Sequence, residues 1–120
     1  MTKILVVDDD QLTRMIAVHL LGRAGEIVAE ACNGREALRM LMHDAEIGTL
    51  VTDVLMPEMD GLELIQAARK LRPRLRIVAM SAGGKRVKLD LLPVARSLGA
   101  DACFQKPLCQ ETIGLVTGSA

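Results

Sequence analysis

The sequence predicts an α/β fold in which helices cover both faces of a parallel sheet. Short apolar runs alternate along the chain with longer segments whose apolar residues repeat at helical spacing. The connections are short, and strands that alternate with helices form parallel sheets with right-handed crossovers. The length of 120 residues suits one compact domain.

Five apolar runs are the predicted strands. They are residues 4–7, 27–31, 50–51, 77–80 and 102–104. The runs at 4–7 and 77–80 are unbroken, which is typical of strands buried on both faces of a parallel sheet. The run at 27–31 alternates more between apolar and polar residues, so we expect this strand to lie nearer an edge.

Five helices are predicted between and after these strands. The apolar face of the first consists of Leu12, Met15, Ile16 and Leu20, and that of the second of Ala37, Leu38, Leu41 and Met42. For the third helix, before Pro73, two faces are open: Leu62, Ile65 and Ala68, or Leu64, Ala67 and Leu71. Asp10 is expected to cap the first helix, which ends at Gly22 or Gly25. The last two helices span residues 91–98, capped by Asp90, and 110–117.

The charge composition excludes some classes of function. Fifteen basic and fifteen acidic residues give a net charge of zero, which argues against general binding to nucleic acid or anionic membrane. Residues 1–68 nevertheless carry an acidic excess, and the rest an equal basic excess. The basic run Arg69, Lys70, Arg72, Arg74 and Arg76 is interpreted as a solvated helix end and turn.

Other features of the sequence narrow the class of protein. No apolar run approaches the roughly 18–20 residues of a membrane span, and no signal peptide pattern is present, so we expect a cytoplasmic protein. Three cysteines without C-x-x-C spacing predict neither a disulfide framework nor a zinc site.

Polar residues follow four of the predicted strands. Asp8-Asp9-Asp10 follows the first strand, Asp53 the third, Ser81 the fourth and Lys106 the fifth. The carboxyl ends of parallel strands share one edge of a sheet, where ligands bind in such folds, so these side chains are expected to converge. Asp10 is interpreted as a helix cap.

A cluster of carboxylates at this edge predicts a hard cation. Two carboxylates about 4 Å apart repel each other by roughly 4 kcal/mol at an effective dielectric constant of about 20. Oxygen ligands with positions left open for water and phosphate are typical of Mg²⁺. Carboxylate, Mg²⁺, hydroxyl and lysine together are the parts of a phosphoryl-transfer centre, in which an aspartate can be the nucleophile.

The ordered set of motifs resembles the receiver domain of response regulators in two-component signalling. The resemblance extends over nearly the whole chain, and the stretches that carry it are residues 4–10 with Arg14, residues 50–62, Met80-Ser81-Ala82, Gly99-Ala100-Asp101 and Lys106-Pro107. The resemblance implies a flavodoxin-like, doubly wound sheet of five parallel strands in the order 2-1-3-4-5. It also implies one receiver domain over residues 1–120, with no output domain in this chain.

The resemblance assigns roles to the clustered residues. Asp53 is expected to accept a phosphoryl group from a phosphohistidine, with Lys106 and Ser81 contacting the phosphoryl oxygens. The expected Mg²⁺ ligands are Asp9, Asp53, the backbone carbonyl of Leu55 and, through water, Asp8. Mn²⁺ is an expected substitute for Mg²⁺.

The resemblance also implies partners and a mode of output. The donor is a sensor histidine kinase or a histidine phosphotransfer protein, and the output partner is unidentified. Phosphorylation is expected to switch the surface around the fourth helix, fifth strand and fifth helix, with homodimerisation as one outcome. The domain is expected to catalyse only its own phosphorylation and dephosphorylation, to be no multiple-turnover enzyme, and to bind neither nucleic acid nor membrane.

The sequence departs from the family pattern at one position of the fifth strand. Receiver domains commonly carry an aromatic residue three positions before the conserved lysine, where this chain has Cys103. The neighbouring Phe104 is expected to point to the opposite face of the strand. The usual coupling between hydroxyl and aromatic residue is therefore in doubt, and backbone movement is the alternative.

Two other functions compete with this interpretation. A haloacid-dehalogenase-type phosphatase also uses an aspartate nucleophile, but its D-x-D-x-[TV] motif needs Thr or Val where this chain has Leu12. Its nucleophile also comes from the first strand. A receiver-like interaction domain that is never phosphorylated is disfavoured by the complete set Asp8, Asp9, Asp53, Ser81 and Lys106.

Overall fold

Five parallel strands form one sheet in the order 2-1-3-4-5, as predicted. The computed structural model describes residues 2–54, 60–82, 92–106 and 108–118. The strands are β1 (Lys3–Val7), β2 (Ile27–Ala31), β3 (Ile47–Asp53), β4 (Arg76–Ala82) and β5 (Ala102–Lys106). The helices are α1 (Gln11–Arg23), α2 (Gly34–His43), α3 (Gly61–Leu71), α4 (Leu92–Leu98) and, after a 3₁₀ turn at Gln110–Thr112, α5 (Ile113–Thr117). Within these ranges, no helix has both the length and the hydropathy that crossing a bilayer requires.

The sheet is buried on both faces because helices cover both. Leu5 and Val7 of β1 pack in the layer that contains α2, α3 and α4, while Ile4 and Val6 pack in the layer that contains α1 and α5. This division explains why the strand is an unbroken apolar run rather than an alternating one. Cys103 packs in the layer that contains α2, α3 and α4, and Phe104 packs in the layer that contains α1 and α5. The expectation that they face opposite sides of β5 is therefore confirmed.

The predicted ends of two strands need correction. β3 begins at Ile47, earlier than the apolar run at 50–51, and ends at Asp53. β4 continues through Ser81 to Ala82, so Ser81 lies within the strand and does not follow it. Pairing with β5 extends β4 over Ser81 and Ala82, beyond its pairing with β3, which ends at Met80. The predicted cap Asp90 lies outside the described residues.

The predicted packing face of α1 is wrong. It consisted of Leu12, Met15, Ile16 and Leu20. Leu12, Met15 and Ile16 are 64%, 54% and 40% exposed, whereas Ala17 and Leu21 are buried. Of the predicted face, Leu20 alone packs in the core. α1 is apolar nearly all round, so helical spacing alone could not select the side that meets the sheet.

The rotation of α1 is set by polar contacts at its start. Arg14 lies on the same helical stripe as Ala17 and Leu21. Its Nη1 donates to the backbone carbonyl of Asp8 at 2.7 Å, and its Nε donates to Glu30 Oε1 at 3.1 Å. These contacts turn the Arg14 stripe toward the sheet. The more apolar stripe of Leu12, Met15 and Ile16 therefore faces outward.

Capping at the helix starts follows the sequence signals. Asp10, as predicted, accepts a hydrogen bond from the backbone N–H of Thr13 at 3.3 Å. The side chain of Asn33 caps α2 and that of Asp60 caps α3 in the same way. α1 runs past Gly22 to Arg23 and is followed by a turn in which Gly25 has a φ of +91°. Gly25, and not Gly22, therefore marks the end of this helix.

The interpretation of the basic run as solvated is wrong for three of its five members. Arg69, Arg72 and Arg76 donate to backbone carbonyls, and Arg69 also pairs with Asp101 at 2.8 Å. The carbonyl acceptors are those of Pro73, Leu75 and Gly99 for Arg69, of Leu41, Ala45 and Ile47 for Arg72, and of Leu115 for Arg76. These guanidinium groups join α3, the following turn and the start of β4 to neighbouring elements. Lys70 and Arg74 are exposed, as predicted.

Candidate functional site

Three carboxylates meet at the carboxyl edge of the sheet. β1 and β3 are neighbours, with Val7 level with Thr52, so Asp8 lies beside Asp53. Asp8, Asp9 and Asp53 each offer a carboxylate oxygen, and these oxygens lie within 4.8 Å of one another. Asp8 and Asp53 are buried, while Asp9 is exposed. The cluster therefore has two buried members and one that opens to solvent.

One ammonium group faces the two buried carboxylates. Lys106 is the last residue of β5, and its Nζ lies 2.7 Å from Asp8 Oδ2 and 2.9 Å from Asp53 Oδ2. Burial by itself lowers the pKa of Lys106, but the Asp8 and Asp53 carboxylates raise the pKa above the ordinary lysine value. Lys106 is thus a fixed positive charge at the edge of the sheet.

The loop between β1 and α1 is held by its own polar groups. Asp8 Oδ1 accepts a hydrogen bond from the backbone N–H of Asp10 at 2.9 Å, and Arg14 binds the Asp8 carbonyl. No role was expected for Arg14 from the sequence. Helical spacing could not reveal this role, because spacing alone does not show which stripe of α1 is buried.

The start of α3 lies against the backbone of Asp53. The N–H of Gly61 donates to the carbonyl of Val54 at 3.1 Å, and the N–H of Val54 donates to Met80 of β4 at 3.0 Å. A Cβ atom at Gly61 would lie 1.8 Å from the Asp53 carbonyl oxygen and 2.6 Å from Val54 Cα. Only glycine allows the helix to begin so close to the strand end.

Of the two other predicted site residues, Ser81 lies among the described residues and Leu55 does not. Ser81 is half-buried and lies one position beyond Met80, which is level with Asp53. In the β4–β5 register, Ser81 lies opposite Gln105, next to Lys106. The register therefore places Ser81 at the same edge as the carboxylates. Leu55, the expected carbonyl ligand, lies outside the described residues.

The chemistry of the cluster fits a metal ion. Three carboxylates and one ammonium group leave two negative charges in excess if all are ionised. Asp8 Oδ2 is buried and, in the part of the chain that the structure describes, accepts no hydrogen bond in addition to its ion pair with Lys106. Oxygen donors of this kind suit a hard divalent cation. Asp8, Asp9 and Asp53 could hold one.

Replacing Lys106 with Met is expected to destabilise the fold. Removal of one partner of a buried ion pair leaves the opposite charge uncompensated, and the expected loss in free energy of unfolding is about 3 kcal/mol. Chemical denaturation without divalent cations measures it, with the exposed Lys70→Met as the control. Added Mg²⁺ should stabilise Lys106→Met more than wild type, because the cation replaces the lost charge. Equal stability of wild type and Lys106→Met would contradict the expectation.

The sheet order and the carboxylate cluster at the carboxyl edge place the chain among doubly wound α/β domains that bind ligands at the switch point between β1 and β3. The profile of the response regulator receiver domain family matches residues 4–115. The chain belongs to this family. It is a receiver domain of the kind found in two-component response regulators, which are signalling domains and not classical enzymes.

Known proteins resemble the chain over most of its length. Sporulation initiation phosphotransferase F of Bacillus subtilis is 30% identical over 105 residues, which are 88% of this chain and 82% of that protein. The structure of Vibrio cholerae chemotaxis protein CheY4 has a TM-score of 0.83 at 29% identity and covers 98% and 97% of the two chains. A Burkholderia pseudomallei response regulator, solved with a phosphorylated aspartic acid, a calcium ion and citrate, has a TM-score of 0.82 at 26% identity and covers 97% and 66%.

Other relatives are much longer than this chain. The chain spans 16% of the transcriptional regulator NtrC of Azospirillum brasilense, to which it is 40% identical over 79 residues. It spans 10% of the sensor kinase CckA of Brucella abortus, at 36% identity over 102 residues. Receiver domains of this family therefore occur within proteins of different overall architecture.

Proposed function

We propose that this domain accepts a phosphoryl group on Asp53 from the phosphohistidine of a sensor histidine kinase or a histidine phosphotransfer protein. The observation that carries the proposal is the position of Asp53, at the end of β3 beside two further carboxylates and 2.9 Å from the Lys106 ammonium. The phosphorylated aspartic acid of the Burkholderia pseudomallei relative supports the same chemistry.

The reaction is a direct displacement at phosphorus. An Asp53 carboxylate oxygen forms a bond to phosphorus as the bond from phosphorus to the imidazole nitrogen breaks, and the bonding electrons leave with the imidazole. The product is an acyl phosphate. Lys106 is proposed to pair with the phosphoryl oxygens, since its ammonium already lies beside the acceptor carboxylate. The hydroxyl of Ser81 is proposed to donate a hydrogen bond to one of these oxygens.

Mg²⁺ is the proposed cofactor, with Mn²⁺ as a substitute. Asp9 and Asp53 are proposed to bind it through their carboxylates, Asp8 through water and Leu55 through its backbone carbonyl. When bound, the cation neutralises negative charge on the carboxylates and the phosphoryl group. The protein's part is to hold the acceptor residue Asp53, which is 6% exposed, at the strand end beside the Lys106 ammonium.

The proposed switch begins with added charge at Asp53. Phosphorylation adds about −1.5 to −2 charge at neutral pH. Lys106 ends β5 and Ser81 lies near the end of β4, so attraction to the phosphoryl oxygens would shift both strand ends. The surface of α4, β5 and α5 would change with them. With Cys103 in place of an aromatic residue, movement of the strand ends is the proposed means of output.

The proposed location is the cytoplasm, where such kinases present their phosphohistidine. The domain is proposed to act on itself and to have no multiple-turnover activity on other substrates. Its output partner is a further protein or domain, and a homodimer after phosphorylation is part of the proposal.

The outward stripe of α1 is the proposed docking surface for the phosphohistidine protein. α1 begins two residues after Asp9, which places this helix beside the acidic cluster. Leu12, Met15 and Ile16 form an apolar surface there that the fold itself does not bury. A donor protein that brings its histidine to Asp53 must contact the surface beside the acidic cluster. Burial of Leu12, Met15 and Ile16 in that contact would stabilise the complex.

Replacing Met15 with Glu is therefore expected to separate two kinds of donor. Transfer from a phosphorylated histidine kinase should slow by about tenfold or more, as for loss of an anchor residue in an interface. Phosphorylation by phosphoramidate should be unchanged, because a small donor needs no docking surface. Met42→Glu is the matched control, since Met42 is equally exposed but lies on α2. Equal slowing with both donors would show that the substitution damages the site itself.

Intact-mass measurement with a small phosphodonor tests the proposed function. The domain is incubated with phosphoramidate and Mg²⁺, and we expect the mass of one added phosphoryl group. Borohydride reduction and peptide mapping should locate the acyl phosphate at residue 53, and removal of divalent cations should prevent its formation. No adduct with any small donor would indicate a receiver domain that acts without phosphorylation. Multiple turnover of phosphate esters would indicate a phosphatase.

A further inference from the structure

The outer surface of the helix layer formed by α2 and α3 carries an open groove of about 380 Å³. It is lined by Leu38, Met42, Ala67, Lys70 and Leu71. Met42 is 61% exposed and Leu71 is 42% exposed. Leu38 lies at the middle of α2, and the other four residues lie in the later halves of their helices. Because α2 and α3 both start at the carboxyl edge of the sheet, the groove lies away from the acidic cluster.

The groove exists because both helices carry more apolar surface than the sheet covers. Ala37 and Leu41 of α2 are buried against the sheet, and so are Leu64, Ile65 and Ala68 of α3. The apolar residues that remain lie where the two helices meet on the side away from the sheet. They are Leu38 and Met42 of α2 and Ala67 and Leu71 of α3. This volume falls within the usual range of protein binding pockets, roughly 300–1,000 Å³.

The groove is surrounded mainly by positive charge. Lys70 lines it, and the exposed Arg35 and Arg39 lie on the side of α2 that borders it, one turn before Leu38 and Met42 respectively. On α3, Glu63 lies one turn before Ala67 and is the acidic residue of this border. Three cations and one carboxylate leave a net positive rim around an apolar floor.

We propose that this groove binds an amphipathic helix of a partner protein whose apolar residues are flanked by acidic ones. Two parallel helices with an apolar seam form the surface that an apolar helix face enters, with anchors at positions i, i+4 and i+7. Acidic flanks would pair with Arg35, Arg39 and Lys70. This partner surface is separate from the phosphoryl site and does not depend on phosphorylation.

The charge on the rim distinguishes this occupant from a second copy of the chain. Two copies joined through this face would bring together two rims that each carry a net positive charge. Like charges so placed oppose association. The apolar floor argues against a nucleic acid as the occupant. Its phosphates would pair with the cations of the rim, but Met42 and Leu71 would be left without an apolar partner.

A designed peptide tests the proposal on the whole domain. The probe is an acidic amphipathic helix with Leu at i, i+4 and i+7 and Glu on both flanks, and its control carries Lys in place of Glu. We expect saturable binding of the acidic peptide only, weaker at higher salt, with amide shifts in NMR spectra confined to α2 and α3. Met42→Glu and Lys70→Glu should each weaken binding by about tenfold or more.

Matched variants keep this test specific. Arg23→Glu makes the same charge reversal at the exposed end of α1, and Met15→Glu makes the same apolar-to-acidic change on α1; both should bind the peptide like wild type. Absence of saturable binding, or shifts that map to α1, would overturn the proposal. So would a wild-type dimer in size-exclusion chromatography that Met42→Glu converts to monomer, because the groove would then be covered by a second copy.

Discussion

Replacing Asp53 with Asn is expected to abolish phosphoryl incorporation without destabilising the fold. The amide has no carboxylate oxygen to attack phosphorus, so the mass adduct should disappear with every donor. Stability should be equal to that of wild type or up to about 2 kcal/mol greater, since removing one of three clustered carboxylates relieves repulsion. Lys106 keeps its 2.7 Å ion pair with Asp8 in this variant.

Asp10→Asn is the matched control for this substitution. Asp10 is adjacent to the cluster but acts as the cap of α1, a role that asparagine fills about equally well. This variant should be phosphorylated like wild type. Phosphorylation of Asp53→Asn at another residue would contradict the assignment of the acceptor. A large loss of stability in Asp53→Asn would mean that Asp53 has a structural role instead.

Replacing Gly61 with Ala is expected to destabilise the fold about as much as Lys106→Met does. The added Cβ would lie 1.8 Å from the Asp53 carbonyl oxygen, and backbone atoms cannot move aside as a flexible side chain can. Overpacking of this kind typically costs 1–3 kcal/mol and sometimes more, and we expect about 3 kcal/mol. Because the contact is with Asp53 itself, phosphorylation by phosphoramidate should also slow.

Gly22→Ala is the matched control. Gly22 lies inside α1, and a Cβ atom there would have no neighbour within 4 Å. Alanine in place of glycine within a helix stabilises by about 0.5–1 kcal/mol, so this substitution should raise the midpoint of denaturation. Equal stability of the two variants would show that α3 can move away from β3 at little cost.

Much of the site could be predicted because it follows from chain topology. Asp8, Asp53 and Lys106 each end or follow an apolar run, and the carboxyl ends of parallel strands meet at one edge. The ion pairs of Lys106 follow from that convergence. Arg14 and Gly61 are different, because their roles depend on which atoms of other elements lie against them. A sequence shows neither the carbonyl beside Arg14 nor the one beside Gly61.

The sequence by itself determined the parallel α/β class, the cluster of charged residues and the capping of α1, because these depend on local propensity and on the rules of parallel sheets. Tertiary structure alone decided the rotation of α1 and the partners of Arg69, Arg72 and Arg76. Helices that are apolar nearly all round offer several possible faces, and the choice depends on packing and polar contacts with distant residues. That choice also left Leu12, Met15 and Ile16 on one surface and Met42 and Leu71 on another, where partner proteins can reach them.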